Sequence, residues 1–337
     1  FLKIIVYKVS MINYSDPQTR YLIDYANLKH GLIQNQSDFL NSSEFKKFLK
    51  YKYLGFPLVL PLGIKFFDYG KSCLKFKIYK KDVKKFIFES KSNNYVGLKI
   101  FFKYGNTFCT GATLKKRYIK DFDLIIRFNE KLRQLIKKKN IKFKTTSFQT
   151  RNIPHLGHEL ILNKLMGKKK LLIINPLIGL KKKGDIKNNV LKKVFTYLMN
   201  LSLYKSKMLY GPVICNMHYA GPREALHHTY IRELLGFNVF SIGRDHAGAE
   251  NNYPPLKAKK FVNDNKKRFK ISVFYHNGAY YCKICKKIIL KGDCAHDQLS
   301  GISGTDFRNK LKNKLLFLHA RKSLQIYINK LDITLFN

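Results

Sequence analysis

Thr145-Thr-Ser-Phe-Gln-Thr-Arg-Asn-Ile-Pro-His-Leu-Gly-His-Glu159 is the stretch whose reading decides the fold. It opens with strand-like residues, passes through a polar loop, and leads into Leu160–Leu165, which has the look of a helix. Downstream, the short apolar runs Leu171–Ile174 and Val239–Ile242 alternate with the helical stretches Lys187–Leu203 and Glu224–Leu235. That alternation is the βαβ rhythm of a parallel sheet with covering helices, so the class is α/β. A basic stretch, Lys137–Lys144, precedes the change of texture, and the domain boundary is placed near residue 145. Residues 1–144 carry short alternating apolar runs at Phe56–Leu60, Leu74–Ile78 and Val96–Phe102, separated by Gly and polar turns. They suggest a small β-rich domain with some helix, including Asp123–Lys137, and without site chemistry. Residues 145–337 form the second domain, and past Arg308 the segment Lys310–Leu331 looks helical.

Composition narrows the class. A chain of 337 residues with 45% hydrophobic and 14% aromatic residues fits a globular protein of about two ordinary domains. The net charge is +44, yet Lys is spread from Lys3 to Lys330 among many Ile, Asn, Phe and Tyr, while Trp is absent. Those enriched residues share A/T-rich codons, so the charge reads as compositional drift, with solvated Lys on most faces. No specific nucleic-acid partner is expected, although the field still steers anions toward the protein. No apolar run approaches the length of a membrane span, and Phe56–Ile64, the most apolar stretch, reads as strand. Phe1–Val6 is too short for a signal peptide. Three Cys are scattered and three cluster late, which fits a reduced compartment, the cytoplasm, and one metal site rather than a disulfide framework.

Chemistry concentrates in five clusters. In the first, His155 and His158 stand three apart at a helix start, where free N–H groups and the dipole suit phosphate. Gly157 between them would let a nucleotide approach the backbone. Arg151 offers a bidentate fork for an oxyanion, and Gln149 and Asn152 add neutral donors. The bland alternative is a capped pair of surface His. The second cluster, Ser241-Ile-Gly-Arg-Asp-His-Ala-Gly248, follows a buried strand, where ligands sit in open α/β sheets. Arg244 and His246 are donors that Asp245 could orient, or Arg244 and Asp245 form a structural pair. The third, Ala220-Gly-Pro-Arg-Glu-Ala225 with His227 and His228, is either a substrate contact or a turn with an ion pair. The fourth, Cys282-Lys-Ile-Cys285 with Cys294-Ala-His296, has the spacing of a closed tetrahedral zinc site, hence a structural one. The fifth, Ile302-Ser-Gly-Thr-Asp-Phe-Arg308, offers an anion cradle from Ser303, Gly304, Thr305 and Arg308, or an ordinary helix cap.

Taken together, QTRNIPHLGHE, NPLIGLKKKGD, YAGPREALHH, GRDHAG, the CxxC…CxH segment and ISGTDFR resemble bacterial and archaeal ATP sulfurylases in order and approximate spacing. The HxxH and ISGT elements also resemble the wider HIGH-motif nucleotidyltransferase superfamily. The resemblance covers about residues 145–320, with the first domain more weakly similar to a PUA-like domain. It implies a Rossmann-like nucleotidyltransferase domain and conversion of ATP and sulfate to adenosine 5′-phosphosulfate and diphosphate. Carried over, it implies Gln149, Arg151 and the backbone of Ala247 for sulfate, and Thr150, Arg151 and Asn152 as the catalytic trio. Gln149, Asn152, His155, His158 and Gly243, Arg244, Asp245 and His246 would bind ATP, with Val273 near the adenine. Mg²⁺ would come with ATP, Zn²⁺ with Cys282, Cys285, Cys294 and His296, and the family is commonly a homo-oligomer. Two departures stand out: Asn175 replaces a His before Pro-Leu-(Val)-Gly, and His218 replaces an Arg before Tyr-Ala-Gly-Pro. Adenylyl transfer to another acceptor is the nearest alternative. RNA binding is a more distant one, opposed by the even spread of Lys.

Overall fold

The structure, a computed structural model, describes residues 12–14, 16–331 and 333–337; Phe1–Val6 therefore lies outside the described residues. The first half contains helices α1 (Thr19–Lys29) and α2 (Ser42–Lys50) and strands β1 (Leu60–Pro61), β2 (Phe67–Asp68) and β3 (Leu74–Lys77). After them come α3 (Val96–Phe101), β4 (Thr107–Thr110), β5 (Thr113–Leu114) and the 22-residue α4 (Ile119–Asn140). Strand β4 pairs antiparallel with β1 and β3, and β2 with β5.

Helix outweighs strand in this half, so the β-rich expectation is corrected. Val96–Phe102 shows why. Leu98 and Phe101 are buried three residues apart, on one helical face, and that spacing overrides the apolar run that suggested a strand. At Gly97 an added Cβ would lie 2.4 Å from the Phe88 ring, so the helix needs glycine there. Asp123–Lys137 falls inside α4 as expected. Helix α2 starts at a full capping box, with Asn41 accepting from the Glu44 N–H and Glu44 from the Asn41 N–H, each at 2.9 Å.

The second half builds a five-stranded sheet in the order β12-β11-β6-β7-β9, with every neighbouring pair parallel. Its strands are β6 (Lys144–Phe148), β7 (Lys170–Ile174), β9 (Met208–Tyr210), β11 (Val239–Ile242) and β12 (Ser272–Tyr275). Helices α5 (Leu156–Leu165), α6 (Asn188–Asn200), α7 (Gly221–Leu234) and α8 (Lys257–Asp264) connect or cover them, and β8 (Leu177–Ile178) pairs with β10 (Val213–Ile214). The expected α/β architecture is thus present. The chain first runs from β6 outward to β7 and β9, then returns to place β11 and β12 on the other side. β6 and β11 consequently flank the switch point, where a crevice opens beyond the strand ends.

Alternation along β7 divides the interior. Leu171 and Ile173 belong to a hydrophobic cluster that extends from Ile12 to Ile271, while Leu172 and Ile174 belong to a second with Leu162, Val190, Phe195 and Leu324. The first cluster continues across residue 145, so α4 packs against the sheet's own side chains. Arg223 adds a polar tie between the halves. Fully buried, it donates to the carbonyls of Gly55, Phe86 and Phe48 at 2.9, 3.0 and 2.8 Å. This is the structural outcome for the third cluster, with carbonyl partners in place of the anticipated ion pair.

The last hairpin and sheet, β13 (Ala279–Cys282), β14 (Lys287–Leu290) and β15 (Leu299–Gly301), precede α9 (Gly304–Lys312) and α10 (Lys322–Asn329). The continuous helix expected over Lys310–Leu331 is broken. Gln325 takes the Phe317 N–H at 2.7 Å and donates to the Phe317 and Ala320 carbonyls at 3.0 Å, stabilising a loop between the two helices.

Asn175 sits at the end of β7 as a buried hub. Its amide donates to the Gly211 carbonyl at 2.5 Å and its Oδ1 accepts from Arg232 Nε at 2.9 Å and Ser147 Oγ at 3.3 Å. Replacing it with Leu strands a fully buried guanidinium. Asn175→Leu is therefore expected to lower stability by about 2–4 kcal/mol, read as a reduced urea midpoint; an unchanged midpoint contradicts the hub assignment.

Candidate active site

Gln149–Asn152 is the loop that leaves β6 at the switch point. Thr150 Oγ1 accepts the Asn152 N–H and donates to its carbonyl, both at 3.1 Å, so the threonine holds the turn closed. Arg151 Nη2 donates to the Gly248 carbonyl at 2.7 Å, which joins this loop to the one after β11. Its Nη1 is buried without a hydrogen-bond partner among the described residues and stands 3.6 Å from Asp185 Oδ2, an ion-pair distance. The Oε1 of Gln149 is likewise buried and unpartnered. Buried donors normally find partners, so an unbonded guanidinium nitrogen marks a place for an anion.

Helix α5 begins with a reciprocal cap made by two histidines. The His158 N–H donates to His155 Nδ1 at 3.3 Å, and the His155 N–H to His158 Nδ1 at 3.4 Å. Each Nδ1 is an acceptor, so each neutral ring carries its proton on Nε2. Burial pushes the His155 pKa down to about 4 and that of His158 well below the usual value. The pair thus offers neutral N–H donors. Gly157 serves packing: an added Cβ would lie 2.6 Å from Ala279 Cβ and 3.0 Å from His155 Cε1, so hairpin and ring, rather than a nucleotide, fill that space.

The Gly243–Gly248 loop follows β11. Gly243 is required because a Cβ there would lie 2.9 Å from the His276 ring. Arg244 donates to Asp245 at 2.9 Å and to Tyr280 OH at 3.3 Å at an exposed rim, the local pair that was one alternative. His246 Nε2 lies 3.2 Å from His228 Nδ1. Ala247 adopts a left-handed backbone (φ 57°), and its carbonyl accepts from the Gly221 N–H at 3.1 Å. Among the described residues the Ala247 N–H has no acceptor. Val273 lies inside β12, opposite Phe240, and packs against the core short of the strand's carboxyl end.

Several residues at the site were not singled out from sequence. Asp185, 1% exposed, accepts from Tyr219 OH at 3.0 Å and faces Arg151 and Lys182 at 3.6 and 3.7 Å. It is the sole acid between Lys181 and Lys193, a signal that was available. Lys181 donates to Asn188 at 2.5 Å, and burial lowers its pKa to about 8. Its charge therefore titrates near neutrality. His276 follows β12 and is pushed down to about 4 by burial. Of the fifth cluster, which the sequence had singled out, Arg308 on α9 reaches Asn152 Oδ1 at 3.0 Å, while Ser303 makes the ordinary cap, accepting the Asp306 N–H at 3.0 Å. Neither departure residue is a free site group. Asn175 is the buried hub, and His218 stacks on Phe56 at 4.1 Å with its Nδ1 3.0 Å from Arg20.

The ligand atoms of Cys282, Cys285, Cys294 and His296 all lie within 4.8 Å of one another. Cys282 closes β13 and the knuckle turns at Lys283–Lys286, with the Cys285 N–H 3.4 Å from Cys282 Sγ. That N–H is the main cause lowering the Cys282 thiol to about 6, which favours thiolate. Three sulfurs and one ring nitrogen suit a tetrahedral thiophilic ion. The hairpin packs on α5 through Ala279 and Leu290, so it supports the helix that carries His155 and His158.

The family model of ATP-sulfurylase matches residues 125–316. A sulfate adenylyltransferase of Pyrococcus abyssi is 31% identical over 313 residues, covering 86% of this chain and 82% of its own length. That of Thermococcus onnurineus is 30% identical over the same shares, 86% and 82%. One from Carboxydothermus hydrogenoformans is 35% identical over 188 residues, 55% of this chain and 49% of its own. Among solved structures, a hexameric APS kinase from Thiobacillus denitrificans covers 68% of this chain and 45% of its own at TM-score 0.46 and 12% identity, too distant to bear on fold or assembly.

The site's histidines determine how the protein meets acid. His155, His158, His218, His227, His228, His246 and His276 all have depressed pKa values in the fold, with burial as the first cause. The unfolded chain binds those protons first, from about pH 6.5 downward. The histidines' share of stability is thus expected to be constant above about pH 7 and to fall between about 6.5 and 4, by on the order of 3 kcal/mol for His155 alone, with the buried carboxyls of Glu224 and Asp24, raised to about 7 and about 6, opposing only part of that slope. Urea midpoints measured across that window test the slope, and a flat profile contradicts it.

Proposed function

This chain belongs to the ATP-sulfurylase family and is a sulfate adenylyltransferase; we propose that the switch-point crevice is where its ATP and sulfate meet. The carrying observation is the buried, unbonded Arg151 Nη1 on the loop leaving β6, opposite the free N–H of Ala247 on the loop leaving β11. In this reading Gln149, Arg151 and the Ala247 N–H hold sulfate. His155 and His158 donate to the ATP phosphates, and Gly243, Arg244, Asp245 and His246 line the nucleotide side with Asn152. Thr150 keeps the loop's shape, and Val273 supports the adenine region from within its strand. Arg308, from the ISGTDFR cradle, adds positive charge, and so does Lys181, which no motif had assigned.

The chemistry asks for little more. A sulfate oxygen attacks the α-phosphorus, an S–O–P bridge forms, the bond to the β-phosphate oxygen breaks, and diphosphate leaves. Sulfate is already an anion, so no general base is needed. The task is to align two anions that repel each other and to neutralise charge on the attacking and leaving oxygens. Arg, neutral His and backbone N–H donors are suited to that. Asp185 keeps Arg151 from swinging into solvent without cancelling its unbonded edge. Mg²⁺ would arrive with ATP. The reverse reaction uses the same contacts.

We further propose that Cys282, Cys285, Cys294 and His296 hold Zn²⁺ as a structural clip beneath α5. No helix among the described residues is long and apolar enough to cross a membrane. Cytoplasmic residence and a homo-oligomeric state are part of the same proposal, resting on the reduced thiols and on the resemblance.

With ATP, Mg²⁺ and molybdate in place of sulfate, the protein is expected to release diphosphate, and the absence of release from folded protein would sink the reaction. Arg151→Ala should reduce turnover to background with a melting temperature within a few degrees of wild type; surviving activity would place sulfate elsewhere. Metal analysis should find about one zinc per chain, lost in the Cys282→Ser/Cys285→Ser double variant. Full occupancy in that variant would move the metal off these residues.

A further inference from the structure

A buried polar chain that the reaction above does not use supports the Gly243–Gly248 loop. Glu224, in the first turn of α7, is fully buried. Its Oε1 accepts the His218 N–H at 2.7 Å and its Oε2 the Ala220 N–H at 2.9 Å. Oε1 also stands 3.3 Å from His228 Nε2, one helical turn on. That approach sets the neutral ring's Nε2 against the carboxyl without a well-aligned hydrogen bond. On its other side His228 presents Nδ1 to His246 Nε2 at 3.2 Å. Three groups stand in a row, from the helix start to the nucleotide-side loop.

Counting donors and acceptors fixes the protons. Both Glu224 oxygens are acceptors, each taking a backbone N–H, so the ring nitrogen facing them, His228 Nε2, carries hydrogen. A neutral imidazole protonated on Nε2 has a bare Nδ1. That bare nitrogen accepts, so His246 must donate from Nε2, which leaves its own Nδ1 bare. An additional proton on His246 is opposed from every side. His228 and Arg232 face it from α7, His276 from the end of β12 and Arg151 from the end of β6, and burial outweighs them all in favouring the neutral ring. His246 is only partly buried, and among the described residues its Nδ1 has no hydrogen-bond partner.

We propose that Glu224 and His228 are positioning residues that fix the tautomer of His246, whose bare Nδ1 accepts a hydrogen bond from the nucleoside of ATP. The donor is a ribose hydroxyl or the adenine amino group. A deprotonated phosphate or sulfate oxygen has no hydrogen to give, so His246 reads the nucleoside and leaves the anions to Arg151, His155 and His158. The proposal rests on the reading that this loop holds ATP.

Nitrogen-15 NMR of histidine side chains in the full, substrate-free chain tests the relay directly. His246 should show a protonated Nε2 and a bare Nδ1. His228→Leu should convert it to a tautomer mixture, and His228→Asn, whose Oδ1 can stand in for Nδ1, should restore the single form. Diphosphate release is then compared for ATP, 2′-deoxy-ATP, 3′-deoxy-ATP and purine riboside triphosphate, which lacks the amino group. One analogue should lose about tenfold in kcat/KM with wild-type protein, as for a hydrogen bond left unmade at a partly buried acceptor, and identifies the donor. In His228→Leu that discrimination should shrink to about twofold, and in His228→Asn return. A His246 protonated on Nδ1 in the free protein overturns the proposal. So does equal use of all three analogues by a protein that turns over ATP. A protein with no ATP turnover instead contradicts the reaction, and the spectrum, which needs no substrate, still decides the relay.

Discussion

The pairing of β6 on both of its edges is the constraint on which the rest depends. Because β7 and β11 both lie parallel to β6, the chain must leave β6 in one direction and return to its other side. The loops after β6 and β11 are thereby pushed apart at their bases, and they meet only across the crevice, through Arg151 and the Gly248 carbonyl. Every functional feature hangs on that divergence. The histidine-capped helix starts in the first loop, the left-handed Ala247 turn lies in the second, and α9 brings Arg308 up to the same opening. Two separate hydrophobic clusters, one on each face of β7, keep the strands at the spacing this geometry needs.

Charge at the crevice is selected with more discrimination than the composition suggests. A chain with 65 Lys and Arg could surround its substrates with ammonium groups. Instead the positions nearest the crevice go mainly to guanidinium and to imidazoles held neutral by burial, and burial weakens the charge of Lys181 as well. Neutral N–H donors bind a phosphate oxygen without carrying a second buried charge that would need its own counter-ion. Asp185 balances Arg151 at 3.6 Å. The surface Lys contribute a diffuse attraction for anions, and the buried groups supply orientation.

Much of this was legible in the residues. The strand Val239–Ile242 is as the sequence suggests, and the loop–helix transition at Gln149–Leu165 follows from polar residues running into an apolar helical pattern. The cysteine spacing alone brought four ligand atoms together. What was hidden depends on distance along the chain. Asp185 lies 34 residues from both Arg151 and Tyr219 by subtraction of their numbers, and a buried acid in a lysine run gives no periodic signal. His276 is an ordinary residue until the sheet order brings it to the crevice. Val96–Phe102 was misleading because a short apolar run fits strand and buried helix alike. Asn175 and His218 stood out as departures from the resembled motifs, yet Asn175 is bonded to Gly211, Arg232 and Ser147 and His218 is held by Arg20 and Phe56, which only tertiary contacts reveal.

Phe336 and Asn337 close back on the segment that carries Asp185. Ile186 forms an isolated bridge with Phe336, the Asn337 N–H donates to the Asp185 carbonyl at 2.9 Å, and the Gly184 N–H donates to that of Asn337 at 3.0 Å. A contact spanning so much chain is entropically expensive to close and forms late. During synthesis the sheet, the histidine cap and even Arg151 can assemble while this clasp is still inside the ribosome. The anion crevice therefore acquires its final shape only once Phe336 and Asn337 have emerged and joined the Asp185 segment, so a growing chain passes through a stage that is folded at its centre but not yet able to hold its substrates in register.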